Sequence, residues 1–473
     1  MLETEAEKLR DIIIIAANKA ISKKRIHEKS KPWWNEELKL LRKELASAKR
    51  QYKKNQIDQQ AFQALKSDYF YKIKQAKATC WNDFLENAVG KDIFKAFNYT
   101  KFNRIEKLPI IQYQHENQEI TAITFEQKCE AFMQVLFKKP PQSEAVNWNN
   151  YIEKDWKWPV VSRDEIKQAI FSSSIRKAAE SDKISFLILQ KAFETIENRF
   201  VILYSNLISY DYHSICWREA IDAILKKSNR KVSLFKSYRV ISLLNSMAKT
   251  AEKIIASRLA YLANTTNIVN FDQMNSRKQI SAIDAVMSLI HDIQLAKNEN
   301  KITSVLFMDV KGAYDHVYCN QLLKICKNLD LPKSLCSWIE CFMNNRYVQL
   351  AFDENKQEKT RVEIEIPQES SISSILFLIY IRDIFSEINS MQIRSSSYVD
   401  DIGLVASSET IEENCLMLEN AAEKLLQLQN QNNIQFDMKK IELIHFHTKK
   451  SIDNNNFPVT IRNNQIQSKN LIR

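Results

Sequence analysis

The sequence predicts an α/β protein, on three observations. Ser304-Val305-Leu306-Phe307-Met308-Asp309-Val310 is an apolar run with one carboxylate near its end, the pattern of a buried strand. Ser395 to Ala406 sets Asp400-Asp401 between two strand-like stretches, the pattern of a hairpin. Elsewhere apolar residues recur at three- and four-residue spacing over many turns, the period of amphipathic helices.

Taken in order, residues 1–22 read as the end of a helix whose packing partner is expected outside this sequence. Lys31-Pro32-Trp33-Trp34-Asn35 opens a helix with Leu38, Leu41, Leu45, Ala48 and Tyr52 on its stripe; Lys39, Arg42, Lys43, Lys49, Arg50, Lys53 and Lys54 take other positions. A second helix carries Phe62, Leu65, Tyr69, Ile73, Ala76 and Cys80. The pair reads equally as a hairpin with a wet basic face or as an RNA-binding arm. Pro109, Pro140, Pro141 and Pro159 punctuate residues 104–160, and Pro140 to Asn150 reads as a surface linker.

From Arg163 the period is again helical, through Ile166, Ala169 and Ile170 and then Ile175 to Ile184. Trp217 to Ala220 lead into an apolar segment closed by Lys226-Lys227. Ser237 to Leu244 precede a helix through Lys249, Glu252, Lys253 and Leu259, and Gln273 to Arg277 is a loop before a helix over 281–295. Lys226, Arg239, Lys249 and Arg277 are thereby placed to hold an anion, or simply to be surface cations. After Asp309, Lys311-Gly312-Ala313-Tyr314-Asp315 turns into a helix over 320–329, followed by one over 333–344. Arg361 to Ile366 alternates as a strand. Pro367-Gln368-Glu369-Ser370-Ser371 ends it and starts a helix from Ile372 to Ile388. Beyond the Asp400 hairpin come an amphipathic helix over 409–430, Phe436 to Phe446, and a polar tail.

The 473 residues suffice for two to four structural units with a sizeable core, so disulfides are not required. The eight cysteines form no C-x-x-C pair and the seven histidines no zinc-finger spacing, which points to reduced thiols and an intracellular protein. Ile12 to Ala17 is too short to cross a bilayer and follows Glu3, Glu5 and Glu7, so neither a membrane partner nor a signal peptide is expected. The net charge of +11 suits a phosphate-rich partner, and residues 1–100 hold 21 Lys or Arg against 13 Asp or Glu. Only three glycines are present, at 90, 312 and 403.

An unpaired buried carboxylate is costly, so Asp309 needs a cation or a donor. If its strand lies beside the hairpin, Asp309, Asp400 and Asp401 converge. Three converging carboxylates repel one another and call for divalent cations, and hard oxygen ligands with room for water select Mg²⁺. Two such ions about 4 Å apart serve phosphoryl transfer, the chemistry of polymerases and nucleases.

In this order the stretches resemble the reverse transcriptase of non-LTR (LINE-type) retrotransposons, from Lys31 to Phe446. Phe307 to Asp315 is similar to the family's first catalytic strand, Tyr398-Val399-Asp400-Asp401 to its second, and Pro367 to Phe377 to its Pro-Gln-Gly-Ser-Pro helix start. Tyr238 to Leu244 matches a fingers motif and Lys440-Ile441-Glu442 a late palm motif. The resemblance implies a right-hand polymerase palm, an antiparallel sheet with packed helices, plus fingers, preceded by a helical N-terminal arm. The expected segments are a basic arm over 1–103, a connection over 104–160, fingers over 161–300, a palm over 301–450 and a tail over 451–473. It implies that Asp309, Asp400 and Asp401, with the Val310 backbone, hold two Mg²⁺ ions, with Mn²⁺ as a substitute. Tyr314 would exclude a ribose 2′-hydroxyl; Arg239, Arg277, Lys249 and Gln368 would bind the nucleotide; Lys440 would act near the pyrophosphate. RNA template, DNA primer and deoxynucleotides are the implied partners, in the nucleus or a ribonucleoprotein particle.

Full-length family members carry an endonuclease ahead of the Trp-Trp segment and a thumb after the palm. This chain is expected to lack the first and to have the second absent or incomplete. It also departs from the motifs: Glu369 and Ser371 stand for glycine and proline, Asn275 for another glycine, and Ala179, Glu180 and Lys183 in a usual Lys-Ala-Pro-Gly region. A Glu369 carboxylate about 7 Å from a triphosphate would weaken its binding roughly thirtyfold at an effective dielectric of about 20, and a strained turn would add to this. The expectation is therefore an RNA-directed DNA polymerase, the alternative an impaired remnant that at most binds RNA.

Overall fold

The computed structural model describes residues 1–21, 31–86, 107–115, 118–137, 140, 144–149, 151–152, 156, 158–175, 182–227, 234–277, 279–391, 393–447 and 457–469. Two compact units emerge, residues 1–17 with 108–473, and residues 18–107. The expected helical stretch over 176–181, with Ala179 and Glu180, lies outside the described residues.

α1 (Leu2–Ala20) corrects the first expectation, because its partner is within the chain. Ala6, Leu9 and Ile13 share one face and are buried in the main core of the larger unit. Glu3 fastens the helix: its carboxylate accepts from Tyr212 Oη (3.0 Å), Ser214 Oγ (2.9 Å) and the backbone N–H groups of Ile215 (2.8 Å) and Cys216 (2.9 Å). Residues 1–17 of the segment expected over 1–103 thus belong to the larger unit.

The smaller unit is a helical hairpin of α2 (Glu36–Lys53) and α3 (Gln59–Glu86). Asn35 caps α2 by accepting from the Leu38 N–H at 2.9 Å, which is why the helix starts just after the tryptophans. Leu38 and Ala48 are buried on its stripe, and Tyr52 stacks on Phe62 at 5.1 Å.

In the larger unit, β1 (Ile111–His115) pairs with β2 (Gln118–Ala122), and a Thr124–Gln127 capping box starts α4 (Phe125–Leu136). These elements have a core of their own, where Phe132 meets Phe235, Tyr238 and Phe352. Val146 and Trp148, inside the expected linker, pack on the main core. α5 (Arg163–Phe171) starts at a Ser162–Glu165 capping box, and α6 (Phe186–Ser209) follows.

The remaining elements supply two five-stranded sheets and a separate two-stranded hairpin. They are β3 (Glu219–Lys226), β4 (Tyr238–Leu244), α7 (Ser246–Thr265), β5 (Gln273–Met274), α8 (Ala282–Asn298), β6 (Ile302–Asp309), α9 (Cys319–Asn328), α10 (Lys333–Met343), β7 (Arg346–Phe352), β8 (Asn355–Lys356), β9 (Thr360–Val362), α11 (Ser373–Tyr380), α12 (Arg382–Ser390), β10 (Arg394–Tyr398), β11 (Asp401–Ser408), α13 (Ile411–Asn432), β12 (Glu442–Phe446), β13 (Val459–Ile461) and β14 (Asn464–Ile466). The central sheet has the order β12-β6-β11-β10-β5, the second β4-β3-β7-β8 with β9 also on β7. β6 is antiparallel to both its neighbours, and Val305, Leu306 and Met308 are buried on its two faces, which explains its unbroken apolar sequence. α11 is buried from Ile375 to Tyr380 all round.

Several boundaries shift for physical reasons. The helix expected over 372–388 divides at Ile381 into α11 and α12. Of the strand expected over 361–366, only Arg361 and Val362 pair with β7, although Ile364 and Ile366 remain buried. β7 escaped the reading despite its alternation of Val348, Leu350 and Phe352. A division at residue 300 does not follow the sheets, since β5 completes the central sheet while β7 to β9 complete the second. The tail is a hairpin, β13 with β14, whose Val459 and Ile461 are buried and whose Thr460 and Arg462 N–H groups donate to Glu419 and Glu423 of α13. Among the described residues, no helix is long and apolar enough to cross a membrane.

Candidate active site

β6 and β11 run antiparallel in a register that sets Asp309 opposite Asp401; directly opposed residues have Cα atoms about 5 Å apart. β10 and β11 are joined by the two-residue turn Val399-Asp400, closed by the Tyr398–Asp401 pair. Val399 has φ = 60°, a left-handed conformation that a β-branched residue rarely adopts. The Asp400 carbonyl accepts from the Val310 N–H at 3.0 Å, tying the turn to the end of β6. The three aspartates thus gather at one end of the central sheet.

Lys440 arrives from the other side. The Asp437 N–H donates to the Asp309 carbonyl at 2.9 Å, and one tight turn over Met438–Lys440 brings Lys440 Nζ to 2.5 Å from Asp309 Oδ2. Burial pushes the Asp400 carboxyl above its ordinary range; Asp309 pushes it further, and Lys440 and Arg239 pull it down. Burial also raises Asp401, with Asp400 and Asp309 adding and Lys440 opposing. Mutual repulsion of partly desolvated carboxylates is what a bound divalent cation relieves.

Around this centre, Tyr314 lies edge-on to Phe377 at 5.5 Å, and its carbonyl accepts from the Ile366 N–H at 3.1 Å. Burial raises its phenol to about 12, and the Asp400 charge contributes. Gln368 donates to Asp315 Oδ1 at 3.2 Å. Arg239 is exposed on β4, within electrostatic reach of Asp400.

Two expected nucleotide ligands are engaged with neighbouring protein groups. Lys249 is only 7% exposed on the first turn of α7, where its charge acts on Glu252 one turn on, so it does not face an open cleft. The Arg277 guanidinium is held by Asn264 Oδ1 (3.0 Å) and the Phe271 carbonyl (3.2 Å), 5.9 Å over the Phe271 ring. Glu369 is exposed and does not strain its turn, because the positive φ nearby belongs to Glu365 (86°). Asn275 does occupy a conformation suited to glycine, with φ = 99°.

The donor set fits a hard divalent ion: Asp309, Asp400 and Asp401 offer only oxygen, their charges repel, and Lys440 already places a cation against Asp309. Among the described residues, no three His, Cys, Asp or Glu side chains are gathered closely enough to ligate one ion as they stand. Two residues were not singled out as site residues in the sequence. Asp315 was visible as the carboxylate ending the Ala-Tyr-Asp turn. Glu252 looked like any polar position of a helix.

Comparison with known proteins agrees with this geometry. A family model described as reverse transcriptase (RNA-dependent DNA polymerase) matches residues 224–467. The RNA-directed DNA polymerase from mobile element jockey of Drosophila melanogaster is 22% identical over 306 residues, 63% of this chain and 33% of that protein. The probable RNA-directed DNA polymerase from transposon BS of the same fly is 22% identical over 255 residues, 53% of this chain and 28% of its own. The retrovirus-related Pol polyprotein from type-1 retrotransposable element R1 of Bradysia coprophila is 24% identical over 309 residues, 62% and 30% respectively. The chain spans about a third or less of the length of these curated relatives. With half its length matched by the family model, the chain belongs to the reverse transcriptase (RNA-dependent DNA polymerase) family.

Proposed function

We propose that this chain performs RNA-directed DNA synthesis for a non-LTR retrotransposon, adding deoxynucleotides to a DNA primer on an RNA template. The observation that carries the reading is Asp309 opposite Asp401, with Asp400 in the turn beside them. The names of the relatives support the same direction. On this reading the central sheet is the palm, the second sheet belongs to the fingers, and the helical hairpin of residues 31–86 is the arm. A nuclear or ribonucleoprotein setting follows from the substrates.

Asp309, Asp400 and Asp401, with the Val310 carbonyl, would hold two Mg²⁺ ions, or Mn²⁺ in their place. Bound there, such ions activate the primer 3′-hydroxyl and neutralise the departing pyrophosphate. Lys440 supplies positive charge or a proton on the pyrophosphate side. Tyr314, fixed against Phe377 and beside Asp400, fills the space of a ribose 2′-hydroxyl and so selects deoxynucleotides. Arg239 faces the triphosphate from β4, and Gln368 borders the same space. Arg277 joins them only if it leaves Asn264 and Phe271.

Primer extension on an RNA template tests the reading. Incorporation that depends on Mg²⁺ and falls at least about a hundredfold in Asp400→Asn supports it. RNA binding without incorporation by the unaltered chain would establish the impaired remnant instead. Glu369→Gly isolates the repulsion expected of that carboxylate, as a gain of up to about thirtyfold in nucleotide use.

A further inference from the structure

Glu252 is 1% exposed, inside the protein where α7 passes the start of α11. Its carboxylate accepts from Ser370 Oγ at 2.6 Å and from the Ser371 N–H at 3.3 Å. Ser370 Oγ in turn accepts from the Ile372 N–H at 3.3 Å, and the Ser370 N–H donates to the Pro367 carbonyl at 3.1 Å. One interior carboxylate thus anchors the whole turn from Pro367 to Ile372. The strand side of that turn is anchored separately, by Glu365 N–H to the Val317 carbonyl (3.3 Å) and Ile366 N–H to the Tyr314 carbonyl (3.1 Å). Between the two anchors Gln368 emerges, exposed, and reaches Asp315.

A buried carboxylate is expensive in a position that needs only packing. Lys249 and Arg346 supply the compensating positive charge, and the turn donates to the carboxylate through Ser370 and Ser371. No glycine stands in this turn, so its shape depends on side-chain tethers rather than on glycine geometry.

We propose that Glu252 is a positioning residue for the nucleotide-facing turn: by holding Ser370 and Ser371 it fixes Gln368 against Asp315, beside Tyr314. The inference rests on the polymerase reading of this site and extends it to a residue buried behind the site, on a different helix.

The test uses the full chain and two mild variants. Ser370→Ala removes the hydroxyl donor with almost no change in volume, and Glu252→Gln keeps size and one acceptor oxygen while removing the charge. Hydrogen exchange, measured without nucleotide, should show the Ser371 and Ile372 amides exchanging about tenfold faster in both variants, the loss of one charge-assisted hydrogen bond. Deoxynucleotide KM should rise about tenfold while kcat changes little. A purely structural role would instead lower the melting temperature and leave KM alone, and that result overturns the proposal. Unchanged exchange at both amides overturns it as well, whether or not the chain polymerises. Absence of incorporation by the unaltered chain counts against the polymerase reading, and the exchange data then decide the tether by themselves.

Discussion

Lys440 Nζ and Asp309 Oδ2 stand 2.5 Å apart, joining the turn before β12 to the end of β6. The ammonium lies against the carboxylate that a metal would need, so the two cations compete. Adding Mg²⁺ should therefore raise the melting temperature of the unaltered chain, by the equivalent of about 2.7 kcal/mol at a hundred times its dissociation constant. Asp400→Asn should lose that shift while gaining some stability without metal, because a desolvated and repelled carboxylate is gone. Lys440→Ala should give the larger Mg²⁺ shift. Equal shifts in all three proteins would rule out a metal at these aspartates.

Asn275 at φ = 99° stands where only glycine is free of steric cost. Asn275→Gly should stabilise the protein by about 1 kcal/mol in urea titration, with an unchanged denaturant slope. Asn275→Ala should destabilise it by a similar amount.

His213 is fully buried, both ring nitrogens lack a hydrogen-bond partner, and Trp217, Trp338 and Phe342 surround it edge-on at 5.3–5.7 Å. Burial holds its pKa well below the usual imidazole value, with Arg218 and Arg346 adding to the effect. The unfolded chain takes up a proton as pH falls below about 6.5 and the folded chain does not, so stability drops by up to about 1.4 kcal/mol per pH unit below that point. His213→Phe keeps the packing and removes this contribution. Thermal melts from pH 7.5 to 5.5 should show a flatter profile for the variant; parallel profiles would mean that His213 does not titrate on unfolding.

Glu3 accepts four hydrogen bonds that fasten α1, and these outweigh burial, the largest influence, to hold its carboxyl below the ordinary value. Its stabilising effect is fully present above about pH 4.5 and is lost as pH falls through the lower folded value. Glu3→Ala should cost about 2 kcal/mol at pH 7 after allowance for its partial exposure, and should speed proteolysis of residues 1–17. A variant as stable as the parent would show that the apolar face of Ala6, Leu9 and Ile13 alone holds the helix.

The sequence by itself determined most of the local elements and named the candidate residues. Asp309 at the end of an apolar strand and Asp400-Asp401 in a hairpin were legible because strand period and turn chemistry are local properties, whereas Lys440 was marked only by a resemblance to a family motif. Helices with strong stripes, such as α2 and α13, were legible for the same reason. Only the tertiary structure decided which elements meet. Glu3 of the first helix binds residues 212–216, some two hundred positions later, β7 joins β3 across more than a hundred, and Glu252 reaches a turn 118 residues away. A buried position and an exposed one can carry the same residue type, so Glu252 in the interior and Glu369 at the surface read alike until the chain folds around one of them. Burial and pairing come from the sum of distant contacts, and no local pattern encodes that sum.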